Sequence, residues 1–254
     1  MIPFGLVREV ASRHKPPPIV ELLTLVERHK LVIVRGLAPM GNEAFLTYCR
    51  SASSDGSDPC LHWEFGPIME LRPTPNAANY LFTRESVPFH WDGAFHKVPS
   101  VLVFNCIVPP PHAAGGETLF CDTTRVLATA SHNEREQWRR LRLTYTTAKL
   151  AHYGGNVTVD LVARHPRTRE ATLRFAEPVA TANNPVSVAA IGLPEAEAAA
   201  VLTKLAHRVY ESDVCYVHDW QQGDLVFADN HALIHGRRPF TSDSDRHIRR
   251  IQLL

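Results

Sequence analysis

Two stretches of this chain, residues 77–125 and 223–254, are written in short apolar runs separated by turn residues. That pattern restricts the fold more than any other feature. NYLF, VPFHW, SVLVFNCIV and TLFCD follow one another in the first stretch, interrupted by PPPHAAGGE, and GDLVFADNHALIHGR and RHIRRIQLL fill the second. Short runs rich in Val, Ile, Leu and Phe, bounded by Gly, Pro and Asn, read as strands. LVIVRGL (31–37) is a further buried strand, RLTYTTAKL (142–150) another, and VDLVARHPRTREATLRF (159–175) a hairpin around HPRTRE. Helical spacing is confined to a few segments: IVELLTLVERHK (19–30), NEAFLTYCR (42–50), NEREQWRRL (133–141) and LPEAEAAAVLTKLAHRVYES (193–212). Ser131 or Asn133 would cap the third, and Pro194 stands near the first turn of the fourth. Strands and helices do not alternate as βαβ units, which counts against a dinucleotide-binding sheet. The prediction is a mainly β chain, a double-stranded β-helix (jelly roll) with peripheral helices, folded as one domain over residues 1–254.

Composition narrows the function classes. A net charge of +1 gives no reason to expect a nucleic-acid or membrane partner. No apolar run approaches the roughly 18 residues a membrane span needs, and Arg8 and Glu9 interrupt the start before a signal-peptide core could form. The five cysteines are scattered, odd in number and without CxxC spacing, which points to reduced, buried thiols in a cytoplasmic protein. A small-molecule substrate is the partner left to consider.

Chemistry concentrates in three places. In SVPFHWDGAF (86–95), His90 and Asp92 are two apart. On a strand they share one face, while Phe89 and Trp91 share the other. An inward HxD pair offers an imidazole and a carboxylate to a metal, and the third ligand must come from elsewhere. GDLVFADNHALIHGR supplies His231 and His235, four apart, but the glutamate of HExxH is absent and the surrounding text is strand. His235 is therefore the candidate ligand, and His231 a loop or supporting residue. Two histidines and one carboxylate on one face of an iron leave three adjacent positions open. The plainer alternative makes His90 and His235 hydrogen-bonded core residues. RHIRRIQLL bears on that choice, because alternation puts Arg246, Ile248 and Arg250 on one face and His247, Arg249 and Ile251 on the other. A guanidinium turned into a barrel is costly unless an anion meets it, and its fork suits a carboxylate. The rival reading is a solvated basic edge, and a register slip of one would exchange Arg250 for Arg249.

HWDG (90–93), AGGETLFCD (114–122), W-x-x-GD-x-x-x-x-DN-x-x-x-x-HGR (220–237) and RHIRRI (246–251) occur in one order along the chain. Together with LVERHKLVIVRGL and the HP-x-T of the hairpin (165–168), this ordered set resembles the taurine dioxygenase (TauD/TfdA-like) family of Fe(II)- and 2-oxoglutarate-dependent oxygenases. The resemblance implies that His90, Asp92 and His235 hold Fe(II). It also implies that Thr118 and Arg246 bind 2-oxoglutarate, and that Arg250 supports the cosubstrate or meets an acidic substrate. Asp229 and Asn230 would be supporting or turn residues. The implied reaction consumes O2, releases succinate and CO2, and hydroxylates or desaturates a C–H bond. An intact Asp92 counts against halogenation, for which the family exchanges the carboxylate for a small residue.

Two departures stand out. Trp91 occupies a position where the family has a small polar residue, and HPRTRE lacks the usual glycine after threonine. The HWDG form resembles the isonitrile-processing branch, which implies a substrate made from an aromatic amino acid for secondary metabolism. The alternatives are a hydroxylase of a small acid or sulfonate, a zinc hydrolase, and a non-catalytic metal-binding jelly roll. Tyr80, Phe95, His96 and Arg174 are candidates for the substrate pocket, and segments 60–80 and 151–160 are candidate lids.

Overall fold

The computed structural model describes residues 2–11, 13, 15–77, 79–150, 153–180, 184–241 and 244–254. Two sheets make its centre. The larger runs in the order Leu6–Glu9 (β1), Leu31–Arg35 (β2), Leu225–Asp229 (β13), Val101–Val108 (β5), His247–Leu253 (β15) and Met69–Leu71 (β3). β1 and β2 are parallel, and the remaining neighbours are antiparallel. The smaller sheet has the order Cys215–His218 (β12), Thr118–Asp122 (β6), Leu233–Arg237 (β14) and Val87–His90 (β4), all antiparallel.

Period-2 alternation decides what lies between the sheets. From the large sheet, Leu31, Ile33, Leu102, Phe104, Val226 and Ile248 meet Phe120 and Leu233 of the small one in a single buried cluster. Their chain neighbours Val32, Val34, Val103, Leu225, Phe227 and Ile251 turn to the other face. There they pack against Ile19–His29 (α1) and Asn42–Arg50 (α2) through Leu22, Val26 and Phe45. Strands buried on both faces read as continuous apolar runs, which is why LVIVRGL and SVLVFNCIV show no polar alternation. The outer face of the small sheet, with Phe89, Leu119, Cys121 and Ile234, packs into a third cluster. That cluster includes Val126 of Thr123–Thr129 (α3), Trp138 of His132–Arg140 (α4) and Leu205 of Glu195–Arg208 (α5). A three-stranded sheet, Ser187–Ile191 (β11), Arg142–Leu150 (β7) and Tyr153–Asp160 (β8), and the hairpin Val162–Arg164 (β9) with Ala171–Leu173 (β10) complete this side.

Most elements fall where the sequence puts them, and the exceptions have local causes. NYLF is a 3-10 turn at Tyr80–Phe82 because the Asn79 side chain accepts from Leu81 N–H at 2.9 Å and curls the chain. Residues 153–160 of the candidate lid 151–160 are strand, paired with β7; residues 151–152 lie outside the described residues. Segment 60–80, the other candidate lid, is anchored at its start. Leu61 N–H donates to Gln252 O at 2.8 Å and Cys60 bridges Leu253, so the segment is laced to β15. No helix among the described residues is long and apolar enough to cross a membrane.

Of the two candidate caps for α4, Ser131 is the one used. Its hydroxyl accepts from Glu134 N–H at 3.3 Å, and the Glu134 carboxylate accepts from Ser131 N–H at 2.8 Å. Ser131→Ala is expected to lower the unfolding free energy by about 1 kcal/mol. A denaturant titration reads this as an earlier midpoint, and an unchanged midpoint would deny the cap any role.

Candidate metal centre and its two cavities

His90 is the last residue of β4, and its cross-strand partner in register is His235 of β14. Partners of that kind present their side chains on one face, and here the rings lie 4.3 Å apart between centroids. Asp92 is not on the strand. The chain leaves the sheet after His90 and enters a turn, so Asp92 reaches the histidines by that turn rather than by strand alternation. Asn230 holds the turn in place. Its side-chain oxygen accepts from Asp92 N–H at 2.9 Å, and its NH2 donates to the carbonyls of Asp92 and Pro99, both at 3.0 Å. Gly93 follows at φ +82°, and a Cβ there would stand 2.2 Å from Lys97 O. Only glycine fits.

The three candidate ligand atoms lie within 4.8 Å of one another. Asp92 Oδ1 is 3.5 Å from His90 Nε2 and 3.7 Å from His235 Nε2. His90 Nδ1–H donates to Pro88 O at 2.9 Å. A carbonyl can only accept, so Nδ1 carries a proton and Nε2 is the ring nitrogen that faces Asp92. Burial pushes the His235 pKa well below that of free histidine, with His90 adding to the effect, so the ring stays neutral. Burial alone would raise the Asp92 carboxyl, but the Arg250 guanidinium, the largest opposing influence, outweighs it and holds the group well below the usual carboxylate range. Arg250 Nη1 is 2.9 Å from Asp92 Oδ2. The outcome is two imidazoles and one carboxylate, the donor set that suits a divalent iron.

A small cavity of about 30 Å³ extends from this cluster between the sheets, bordered by His90, Phe104, Thr118, His235, Arg246 and Arg250. Arg246 is 2% exposed. It donates to Gly116 O at 2.7 Å, to Leu71 O at 3.5 Å and to Thr118 Oγ1 at 3.3 Å, all neutral acceptors. Burial pushes its pKa down to about 9, which leaves it charged at neutral pH. Thr118 Oγ1 also accepts from Trp220 Nε1–H at 3.0 Å. With both lone pairs engaged by donors, the hydroxyl has its own proton to give to an anion beside Arg246. The glycines of AGGET make this approach possible: at Gly116, φ +85°, a Cβ would stand 2.9 Å from Arg246 Cδ.

On the opposite side of the cluster lies a cavity of about 230 Å³. Its walls are aromatic: Trp63, Tyr80, Phe82, Trp91, Phe95 and Tyr145. Trp91 points away from the metal ligands as alternation predicts, and it packs edge-on to Tyr145 at 5.2 Å while forming part of this wall. Of the pocket candidates, Tyr80 and Phe95 border the cavity. His96 instead lies against Trp63, centroids 5.5 Å apart. Arg174 sits behind Trp91 with its Cζ 5.8 Å from the ring, bonded to Asn230 O and to His231. His231 thus belongs to the turn between β13 and β14 and stays apart from the metal cluster, while Asp229 is bonded to His165 at 2.9 Å.

β15 resolves the arginine question. Arg249 turns outward to Glu70 and Met40 O, and Arg250 turns inward to Asp92. Sequence reasoning missed Gln252 and Trp63. Gln252 donates to Asp92 Oδ2 at 2.5 Å and accepts from Trp63 Nε1–H at 2.6 Å. Alternation would have found Gln252, two places after Arg250 on the same face. Trp63, in an irregular segment 189 positions from Gln252, had no such signal.

Comparison with known proteins agrees with this geometry. A protein from Fischerella ambigua named 3-((Z)-2-isocyanoethenyl)-1H-indole synthase is 42% identical over 261 residues, covering 100% of this chain and 94% of the relative. A tyrosine isonitrile desaturase from Pseudomonas aeruginosa is 34% identical over 235 residues, covering 90% of this chain and 79% of the relative. A solved structure of PvcB, described as an Fe, alpha-ketoglutarate dependent oxygenase from an isonitrile synthetic pathway, superposes with a TM-score of 0.80 at 30% identity. That superposition covers 99% of this chain and 86% of PvcB. The model of the taurine catabolism dioxygenase TauD, TfdA family matches residues 9–252, and this chain belongs to that family.

Proposed function

We propose that the protein is an Fe(II)- and 2-oxoglutarate-dependent oxygenase acting on the isonitrile of an aromatic amino acid in secondary metabolism. One observation carries the reading: two imidazoles and a carboxylate converge beside a buried guanidinium whose bonded partners among the described residues are all uncharged. A charge kept out of water without a counter-ion is costly, and a ligand that brings a carboxylate to Arg246 removes that cost. In this assignment His90, Asp92 and His235 hold the iron. Arg246 and Thr118 receive the distal carboxylate of 2-oxoglutarate, and the Arg246 fork orients it with two parallel hydrogen bonds. Arg250 steadies Asp92 at the border of both cavities, where it can also meet an acidic group of the substrate.

Iron, 2-oxoglutarate and O2 together supply the oxidising power to remove hydrogen from a C–H bond, with succinate and CO2 as co-products. The chain's own residues do the rest. Arg246 and Thr118 fix the cosubstrate before oxygen arrives, and the aromatic walls seat the substrate and keep water away. Flat aromatic surfaces favour an aryl or indolyl group in the large cavity. The relatives named for indole and tyrosine isonitriles support this choice, and the desaturase name favours desaturation over hydroxylation. The large and small sheets then form the two faces of a double-stranded β-helix, in one domain. Five buried, unpaired cysteines fit the reducing cytoplasm.

The test is succinate release after anaerobic loading with Fe(II) and 2-oxoglutarate and exposure to O2. Isonitriles of tyrosine and tryptophan are expected to stimulate it well above their parent amino acids. Stimulation by small sulfonates with none from isonitriles would overturn the substrate assignment.

A further inference from the structure

We infer that Trp63 and Gln252 are positioning residues that select which oxygen of Asp92 faces the metal and link that choice to occupancy of the large cavity. The inference rests on the oxygenase reading above. The two Asp92 oxygens are not equivalent. Oδ1 faces His90 Nε2 and His235 Nε2 at 3.5 and 3.7 Å. Oδ2 takes the Gln252 Nε2 donor at 2.5 Å, while Arg250 Nη1 bridges the carboxylate, 2.9 Å from Oδ2 and donating to Oδ1 at 3.2 Å. Gln252 thus engages Oδ2 alone, and Oδ1, the oxygen nearer both imidazoles, is the one presented to an ion.

Gln252 can do this only with its NH2 toward the carboxylate, and an amide can be turned either way round. Trp63 settles the direction. An indole N–H donates and never accepts, so at 2.6 Å it must face the Gln252 oxygen, which leaves the NH2 for Asp92. The donor is itself held in place. Gln252 is 3% exposed, and its backbone oxygen accepts from Leu61 N–H at 2.8 Å, two residues from Trp63. Trp63 and Gly66 close a tight bridge, and the Trp63 ring stacks on Phe65 at 6.4 Å and 12°.

Trp63 and Gln252 both border the aromatic cavity beside Asp92. A substrate ring seated there presses on the indole that aims the amide. The metal consequence is direct. With Oδ2 released, the carboxylate can grip an ion with both oxygens and consume one of the three positions that O2 and 2-oxoglutarate need. The chain from cavity wall to metal ligand therefore protects an open position and couples it to substrate arrival.

Trp63→Phe removes the N–H and keeps a smaller aromatic ring, and Gln252→Leu removes the amide at similar volume. The probes are Fe(II), 2-oxoglutarate and an aromatic amino-acid isonitrile. Gln252→Leu is expected to weaken Fe(II) binding by roughly 10- to 100-fold, the usual effect of losing a residue that orients a ligand, and Trp63→Phe by less. Both variants should form more succinate per product than the wild type. Both should also lose part of the substrate-induced change in the visible band of the anaerobic iron–2-oxoglutarate complex. A band that is absent even from the wild type refutes the oxygenase reading itself. A normal wild-type band, with both variants matching wild type in Fe(II) affinity and in succinate-to-product ratio, refutes only the roles of Trp63 and Gln252. Should Gln252→Leu fail to fold, Trp63→Phe decides alone, since it keeps an aromatic ring against Phe65.

Discussion

Replacing Arg246 with glutamine is expected to raise the 2-oxoglutarate concentration for half-maximal turnover by roughly 30-fold to several thousand-fold, with Fe(II) affinity left near wild type. The range is the ~2–5 kcal/mol that follows truncation of one partner of a buried, hydrogen-bonded charge pair. The metal ligands are not among the partners bonded to Arg246, which explains the selectivity. A second consequence has the opposite sign. In the ligand-free protein Arg246 is a buried cation bonded, among the described residues, only to neutral oxygens, so its removal should leave the thermal midpoint unchanged or raise it. Lysine at this position keeps the charge but loses the fork, and should fall between wild type and glutamine. Equal KM values for all three proteins would remove Arg246 from the cosubstrate site.

Asp92→Ala should fail in both respects. It deletes a metal ligand, and turnover should drop to background as Fe(II) affinity falls. It also strands Arg250, which is 3% exposed and loses its carboxylate partner. Breaking a buried pair from one side costs about 3–5 kcal/mol, so the metal-free protein should unfold markedly earlier. Asp92→Asn keeps the shape but not the charge and should show the same direction with a smaller loss. The pH dependence has a definite sign. The Asp92 pKa is held below its ordinary value in the fold, so the carboxylate stabilises above about pH 4. That contribution is lost as pH falls through the folded value, and the variants should converge on wild type in strong acid. A metal-free Asp92→Ala protein as stable as wild type would contradict the buried pair.

Much of the site was legible because strands report their faces. Alternation grouped Arg246 with Arg250 and set Arg249 on the opposite face, leaving open which face is inward, and the structure decides with Arg249 on Glu70 and Arg250 on Asp92. The same rule placed His90 inward but misled on Asp92, which reaches the cluster by a turn that Asn230 and Gly93 stabilise. A two-residue spacing reads alike on a strand and on a strand-to-turn exit, so the sequence pattern could not separate them. Segment 60–80 was less legible still. It has little regular structure of its own, and what fixes it is pairing with β15 and the Trp63–Gln252 bond. Contacts of that range leave no periodic trace. Within the candidate lid 151–160, residues 153–160 form a strand paired with β7, a conformation that Val157, Thr158 and Val159 favour.

The most direct test of the account is an anaerobic titration of the purified chain with Fe(II), followed by 2-oxoglutarate, monitored in the visible range. One iron and one 2-oxoglutarate per chain should bind and produce the weak charge-transfer band of the chelate. That band should be lost in Asp92→Ala and should need far more 2-oxoglutarate in Arg246→Gln. A wild-type protein that binds no iron at His90, Asp92 and His235, or one whose band forms equally well without Arg246, would contradict it.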